Sequence, residues 1–316
     1  MNDKQKQNKR GFCDDAERGR DGQRGRKPQH RPFHVSRTPD VKSQARPDHA
    51  ANPKMTSKFR HVDETQLPDD ILIGRNAVTE ALKAGRGINK ILIANGDREG
   101  SVSEIMTLAK ERGVIVQPVE RGKIESVAGG LRHQGVLAYV APVAYADLDD
   151  VLEKTAAAGK VPFLLLLDEL EDPHNLGALL RTADATGVDA VLIPKRRSVP
   201  LNATVAKTSA GAIEYVPVVR IGNVAQTLKT LKEKGFWVAG ADMDGTQLYC
   251  DADLTGPLVL IVGSEGHGMS RLTKEACDFI VSLPMVGKIN SLNASVAGSI
   301  LMYEAMRQRL QKEKKG

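Results

Sequence analysis

The stretch PFLLLLDEL at residues 162–170 decides the fold. Its apolar run shows no alternation with polar residues and is only as long as a strand. A strand with one wet face would alternate, so this run belongs to a parallel strand covered on both faces. Reading outward, AVLIP at 190–194, VPVVRI at 216–221, FWVAGAD at 236–242, LVLIVG at 258–263 and FIVSLPM at 279–285 are further buried strands. Helical patterns such as VAQTLKTLKEKG at 224–235 separate most of them. Strands alternating with helices imply βαβ crossovers, an α/β fold and a ligand site outside the carboxyl ends of the strands.

Upstream lies a smaller α/β unit. KILIAN at 90–95, VIVQPV at 114–119 and GVLAYV at 135–140 read as strands. NAVTEALKAG at 76–85, SVSEIMTLAKERG at 101–113 with Ser101 as N-cap, and a short segment at 121–128 read as helices. The expected organisation is a disordered basic extension over 1–67, a small α/β domain over 70–142, a linker over 143–160 and a larger domain over 161–312. The linker assignment rests on Pro142, an acidic patch and TAAAGK.

The 316 residues carry a formal charge of +6, unevenly distributed. Residues 1–60 hold 16 Lys or Arg against 7 Asp or Glu, and the remainder 29 against 32, so the basic character belongs to the leading segment. That segment almost lacks aliphatics and cannot offset the entropy of ordering. Its charge suits a polyanion, with nucleic acid foremost and a purely solubilising role as the alternative. Cys13, Cys250 and Cys277 are widely spaced, which suggests neither a disulfide framework nor a thiolate metal site. No apolar leader or membrane span is read, so a cytoplasmic protein is expected.

Three segments combine small and uncharged polar residues with apolar runs. In VGSEGHG at 262–268 the glycines follow neither the dinucleotide nor the P-loop spacing, so no phosphate cradle is indicated. Gly263 there permits close backbone approach, and Glu265 needs partners if it is buried. In NLGALLRT at 175–182, Asn175 and Arg181 are six apart and converge only if Asn175 sits in the loop or at the N-cap. In LPMVGKINSLNASVA at 283–297, Ser291 or Asn293 is placed to cap a following helix rich in Ala, Gly and Ser. His174 and His267 lack a ligand spacing, so no metal is expected, and no nucleophile elbow is present.

In this order the three segments closely resemble the motifs of the SpoU/TrmH ribose 2′-O-methyltransferases of the SPOUT class, over roughly residues 162–309. GRNAV at 74–78 and HQGV at 133–136 resemble the small substrate-binding domain of the ribosomal-RNA branch. The whole layout is most similar to the 23S ribosomal RNA guanosine type. The resemblance implies a parallel sheet with a C-terminal trefoil knot, preceded by an L30e-like domain. It implies S-adenosylmethionine held against the backbone around Gly263, Leu283 and Leu292. It places Asn175, Arg181, Glu265, Ser291 and Asn293 around the reacting ribose, with Arg181 orienting the hydroxyl, and Arg75 and Asn76 on RNA. It also implies a homodimer acting on ribosomal RNA, without metal or membrane. The alternatives are a transfer-RNA 2′-O-methyltransferase and a non-catalytic RNA-binding assembly factor. Leu283 departs from the isoleucine common at its position, and the first 65 or so residues fall outside the resemblance.

Overall fold

The computed structural model describes residues 68, 70–97, 100–289 and 291–314. The expectation of disorder over 1–67 lies outside these residues.

A four-stranded sheet comes first, built from β1 (Ile71–Ile73), β2 (Ile88–Ala94), β3 (Ile115–Val119) and β4 (Val136–Val140) in the order β1-β4-β2-β3. It is mixed: β2 runs parallel to β3 and antiparallel to β4. Three helices cross it, α1 (Arg75–Ala84), α2 (Ser101–Glu111) and α3 (Arg121–Ala128). Ser101 proves to be the first helical residue and not the cap. Gly100 occupies the cap position, and no side chain bonds there.

Residues 143–160 do more than connect. Asp147 caps α4 (Leu148–Ala157) by accepting from the amides of Asp149 and Asp150. Leu148, Val151, Leu152 and Thr155 recur at helical spacing, and Val151 is buried in a core shared with the large sheet.

The large sheet contains β5 (Phe163–Asp168), β6 (Ala190–Pro194), β7 (Val218–Ile221), β8 (Trp237–Ala241), β9 (Gln247–Leu248), β10 (Leu258–Gly263) and β11 (Phe279–Ser282). Their order is β7-β6-β5-β10-β8-β11-β9, and every pair is parallel. All residues of β5, β6 and β10 are buried, as the unbroken apolar runs require. Among the described residues, five α-helices complete the unit: α5 (Pro173–Thr186), α6 (Ala203–Thr208), α7 (Val224–Glu233), α8 (Arg271–Ala276) and α9 (Ala294–Glu313).

Helix α9 lies against α5 and β10, and the small residues of its first turns make that approach possible. A Cβ on Gly298 would stand 2.6 Å from Leu179 Cδ2 and 3.2 Å from Val262 Cγ2. One residue on, the Ser299 hydroxyl meets the Thr182 hydroxyl at 2.9 Å. Farther along, Arg309 donates to the carbonyls of Val161, Leu254 and Gly256 and stacks over Phe163, which pins the helix to the sheet.

The small unit is fastened to the large one. The Arg86 guanidinium meets the Glu214 carboxylate at 2.8 Å, with both side chains buried. Tyr215 donates its hydroxyl to Glu80 on α1 at 2.7 Å.

Candidate active site

Strands β8, β10 and β11 end side by side, and the residues just beyond them line a cleft of about 490 Å³. A parallel sheet concentrates its ligand site at this edge, because the strand-to-helix loops there leave backbone groups and short side chains uncovered. The cleft takes Asp242 and Met243 from the loop after β8, the 263–269 turn after β10, and Leu283, Met285, Ser291 and Leu292 from the segment after β11.

The turn after β10 is held tightly. Ser264 and Gly268 exchange backbone hydrogen bonds of 3.0 and 2.9 Å. A Cβ on Gly263 would lie 2.1 Å from the carbonyl carbon of Gly268, so only glycine permits the fold-back. Asp168, buried at the end of β5 beside Gly263, accepts from the amide of Ser270 at 2.7 Å and anchors the far side of the turn. Glu265 is thereby carried on a fixed support.

Helix α5 begins at the neighbouring strand end. Asp172 is its N-cap, accepting from the His174 amide, and Pro173 opens the first turn. Asn175 is therefore inside the helix and not at the cap, and it is buried. Its amide donates to Glu265 Oε1 at 2.8 Å. From the third segment, the Asn293 amide donates to Asn175 Oδ1 at 3.0 Å and also to Glu265 Oε1. Asn293 Oδ1 caps α9 by accepting from the amides of Ser295 and Val296. Between Ser291 and Asn293, the capping residue is Asn293.

Of the residues singled out in sequence, Gly263, Glu265, Leu283, Ser291 and Leu292 line the cleft, and Asn175 and Asn293 join it through Glu265. Arg181 does not converge on them within one chain. Starting Asn175 inside the helix leaves the six-residue offset uncorrected, so Arg181 is exposed on α5, outside the cleft lining. Arg75 lines a separate pocket in the small unit, and Asn76 is exposed on α1. Asp168, Asp242 and Lys274 escaped sequence reasoning. Lys274 Nζ pairs with Asp242 Oδ2 at 3.1 Å at the cleft wall, and this hydrogen bond holds the ammonium above its ordinary pKa. The available signal was a carboxylate closing an apolar strand, as in LLLLD and VAGAD.

The sequence profile of the SpoU rRNA methylase family matches residues 162–303, and that for RNA 2′-O ribose methyltransferase substrate binding matches residues 71–146. A curated protein of Staphylococcus saprophyticus, named "Putative TrmH family tRNA/rRNA methyltransferase", is 52% identical over 243 residues, which are 77% of this chain and 97% of the relative. This chain belongs to the SpoU methylase family. The counterpart in Staphylococcus haemolyticus, under the same name, is 51% identical over 78% of this chain and 98% of its own. A crystal structure described as RNA 2′-O ribose methyltransferase is similar at a TM-score of 0.63 and 26% identity, covering 76% of this SpoU methylase and 88% of that chain. The structure of AviRb from Streptomyces viridochromogenes in complex with AdoMet shares the fold at a TM-score of 0.63 and 24% identity, over 76% of this chain and 90% of that one.

Proposed function

We propose that this SpoU methylase transfers a methyl group from S-adenosylmethionine to a ribose 2′-hydroxyl of RNA, with a guanosine of 23S ribosomal RNA as the target. The observation that carries the reading is the junction of Asn175, Glu265 and Asn293 on the lip of the cleft, three uncharged or acidic groups from three distant segments. The substrate-binding profile over 71–146 favours ribose 2′-O chemistry over base methylation.

The cleft suits the cofactor. Its wall presents the half-exposed or exposed apolar side chains Leu283, Met285 and Leu292 to one side and the backbone of the Gly263 turn to the other, a slot for a flat heteroaromatic ring. Asp242 offers a carboxylate acceptor for hydroxyls. When bound, the cofactor supplies an electrophilic sulfonium methyl.

The chain's own residues position the acceptor. Glu265, fixed by two amide donors, keeps an oxygen at the lip to receive a ribose hydroxyl, and Ser291 adds a second polar contact. Holding a weak nucleophile in line is the main contribution such a site makes. The Arg181 guanidinium stabilises the negative charge that develops on the 2′-oxygen as the hydroxyl proton passes to solvent, and it steers the neighbouring phosphate. Because Arg181 is exposed on α5, it serves the cleft of a second copy in a homodimer. Val296, Ile300 and Tyr303, exposed along the adjoining α9, supply apolar surface for that pairing. The C-terminal segment threads a loop as a trefoil knot. Residues 70–142 form the RNA-gripping domain, 143–160 the join and 161–312 the catalytic domain, in a cytoplasmic enzyme.

Ribosomal RNA from cells with and without the protein, mapped for 2′-O-methyl groups, tests the assignment. One guanosine in 23S RNA loses its methyl in the deleted strain and regains it with the wild-type chain. Arg181→Ala fails to restore it, yet binds S-adenosylmethionine with unchanged affinity in calorimetry. A missing methyl on a transfer RNA would move the reading to the tRNA branch, and an unchanged methylation map would reject it.

A further inference from the structure

The small unit contains a second cavity of about 500 Å³, far more polar than the first, where the loop from Gly130 to Gln134 meets the start of α1 and the end of β2. Arg75, which the resemblance puts on RNA, is largely committed there. Its backbone amide and Nε donate to the side chain and carbonyl of Gln134 at 3.2 and 2.9 Å, and Nη2 stands 3.6 Å from Asp97 Oδ2. These contacts hold Gln134 in a left-handed conformation at φ 52°, which a residue with a side chain adopts only when its surroundings impose it. Arg75 therefore shapes the pocket.

Two other arginines are uncommitted. Arg121 on α3 and Arg132 in the loop both line the cavity, are exposed, and make no hydrogen bond or ion pair with a described residue. The same cavity carries two carboxylates, Asp97 and Glu125. Asp97 Oδ2 is buried without a hydrogen bond, since the Arg75 contact is beyond hydrogen-bonding distance. Burying such an acceptor costs free energy until a donor reaches it.

A simple phosphate site would not place carboxylates beside its arginines. The ligand that satisfies both sets carries an anionic group and, a few ångströms away, N–H donors. We propose that this pocket receives one unpaired guanosine nucleotide of the RNA, its phosphate on Arg121 and Arg132 and its N1–H and N2–H edge on the Asp97 carboxylate. Guanine alone among the four bases presents two adjacent N–H donors on that edge, matching the two oxygens of one carboxylate once the Asp97 side chain turns its buried Oδ2 towards the cavity. Unpaired bases splayed from a fold are the usual target of sequence-specific RNA recognition.

The inference rests on the chain acting on RNA, and its test separates the two. The full chain is photocrosslinked to the pentaribonucleotide UUGUU carrying 6-thioguanosine at its centre, and the adduct is mapped by peptide mass spectrometry. Label is expected within residues 113–135, with the salt slope of binding falling by roughly one for each arginine removed in Arg121→Ala/Arg132→Ala. Unmodified UUGUU competes about fivefold better than UUUUU against wild type, and Asp97→Asn loses that preference. Label confined to other segments, or labelling unchanged in the double variant, overturns the pocket. Both arginines are exposed, so the double variant folds and decides the matter even if Asp97→Asn does not. Methyl transfer to ribosomal RNA by the same preparations is followed in parallel. Transfer with label elsewhere rejects the pocket alone, whereas absent transfer by the wild-type chain rejects the function.

Discussion

Asn293 binds Asn175 across 118 residues of sequence, donating its amide at 3.0 Å, while its own carbonyl oxygen caps α9. One side chain thus fixes a helix start and a cleft lip together. Replacing it separates the two roles. Asn293→Asp keeps the capping oxygen but turns the donor into a second carboxylate beside Glu265. Its melting temperature should stay near that of wild type while methyl transfer is lost. Asn293→Ala should lose both transfer and about 1 kcal/mol of stability, the usual worth of a cap. Thermal melting with a radiolabelled transfer assay reads both. A fully active aspartate variant would remove the donor from the site.

Gly263 and Gly266 sit three residues apart in the same turn and should respond in opposite ways. The Cβ of Gly263→Ala would overlap the Gly268 backbone, where a few ångströms of relief are not available. Overpacking of this kind costs about 1–3 kcal/mol or opens the turn. A Cβ at Gly266 would meet nothing within 4 Å. Chemical denaturation is expected to show Gly263→Ala strongly destabilised and Gly266→Ala within about 0.5 kcal/mol of wild type.

His133 gives the stability a pH dependence. Burial, helped by the Arg121 cation, holds its imidazole pKa below the ordinary 6.5, and Nδ1 accepts from the Gly135 amide. The unfolded chain takes up the proton first, so stability contributed by the neutral ring is whole above about pH 6.5 and is lost as pH falls towards the lowered value. Melting temperature followed from pH 7.5 to 5 should drop through this window, and His133→Gln should flatten the profile there.

The Arg86–Glu214 pair is buried on both sides, unlike the exposed pairs on α8 and elsewhere. Removing one partner leaves a charge without water or counterion, at a cost of about 3–5 kcal/mol. Urea unfolding of Arg86→Ala should show that loss, and Arg86→Ala/Glu214→Ala should recover part of it. A loss under about 1 kcal/mol would class the pair with ordinary surface contacts.

The strands of the large sheet were legible because burial on both faces writes itself as an unbroken apolar run, and β6 and β10 match their expected limits residue for residue. Strand β9 has two residues and no such run, and β1 has only three, so neither could be read. Helix α4 was present as an apolar spacing at 148, 151 and 152 continued by the buried Thr155, masked by the acidic residues between. For the site, the segments were readable but their junction was not. Asn175 reaches Glu265 only because β5 and β10 are neighbours in the sheet, and strand order is a property of packing that no local pattern encodes. The same limit applies to Arg181: spacing along α5 forbade a meeting with Asn175 once the helix began at Pro173, and the helix start turns on the Asp172 cap.

With Arg86 locked to Glu214 and Tyr215 to Glu80, the two sheets behave as the jaws of a fixed gauge. Under the proposed function, an RNA seated in the small unit would offer to the cleft whichever ribose its own folding places at the set separation. Target choice then becomes a matter of measured length within the substrate, and inserting or deleting a nucleotide between the gripped and the reacting positions would silence the site without changing either contact.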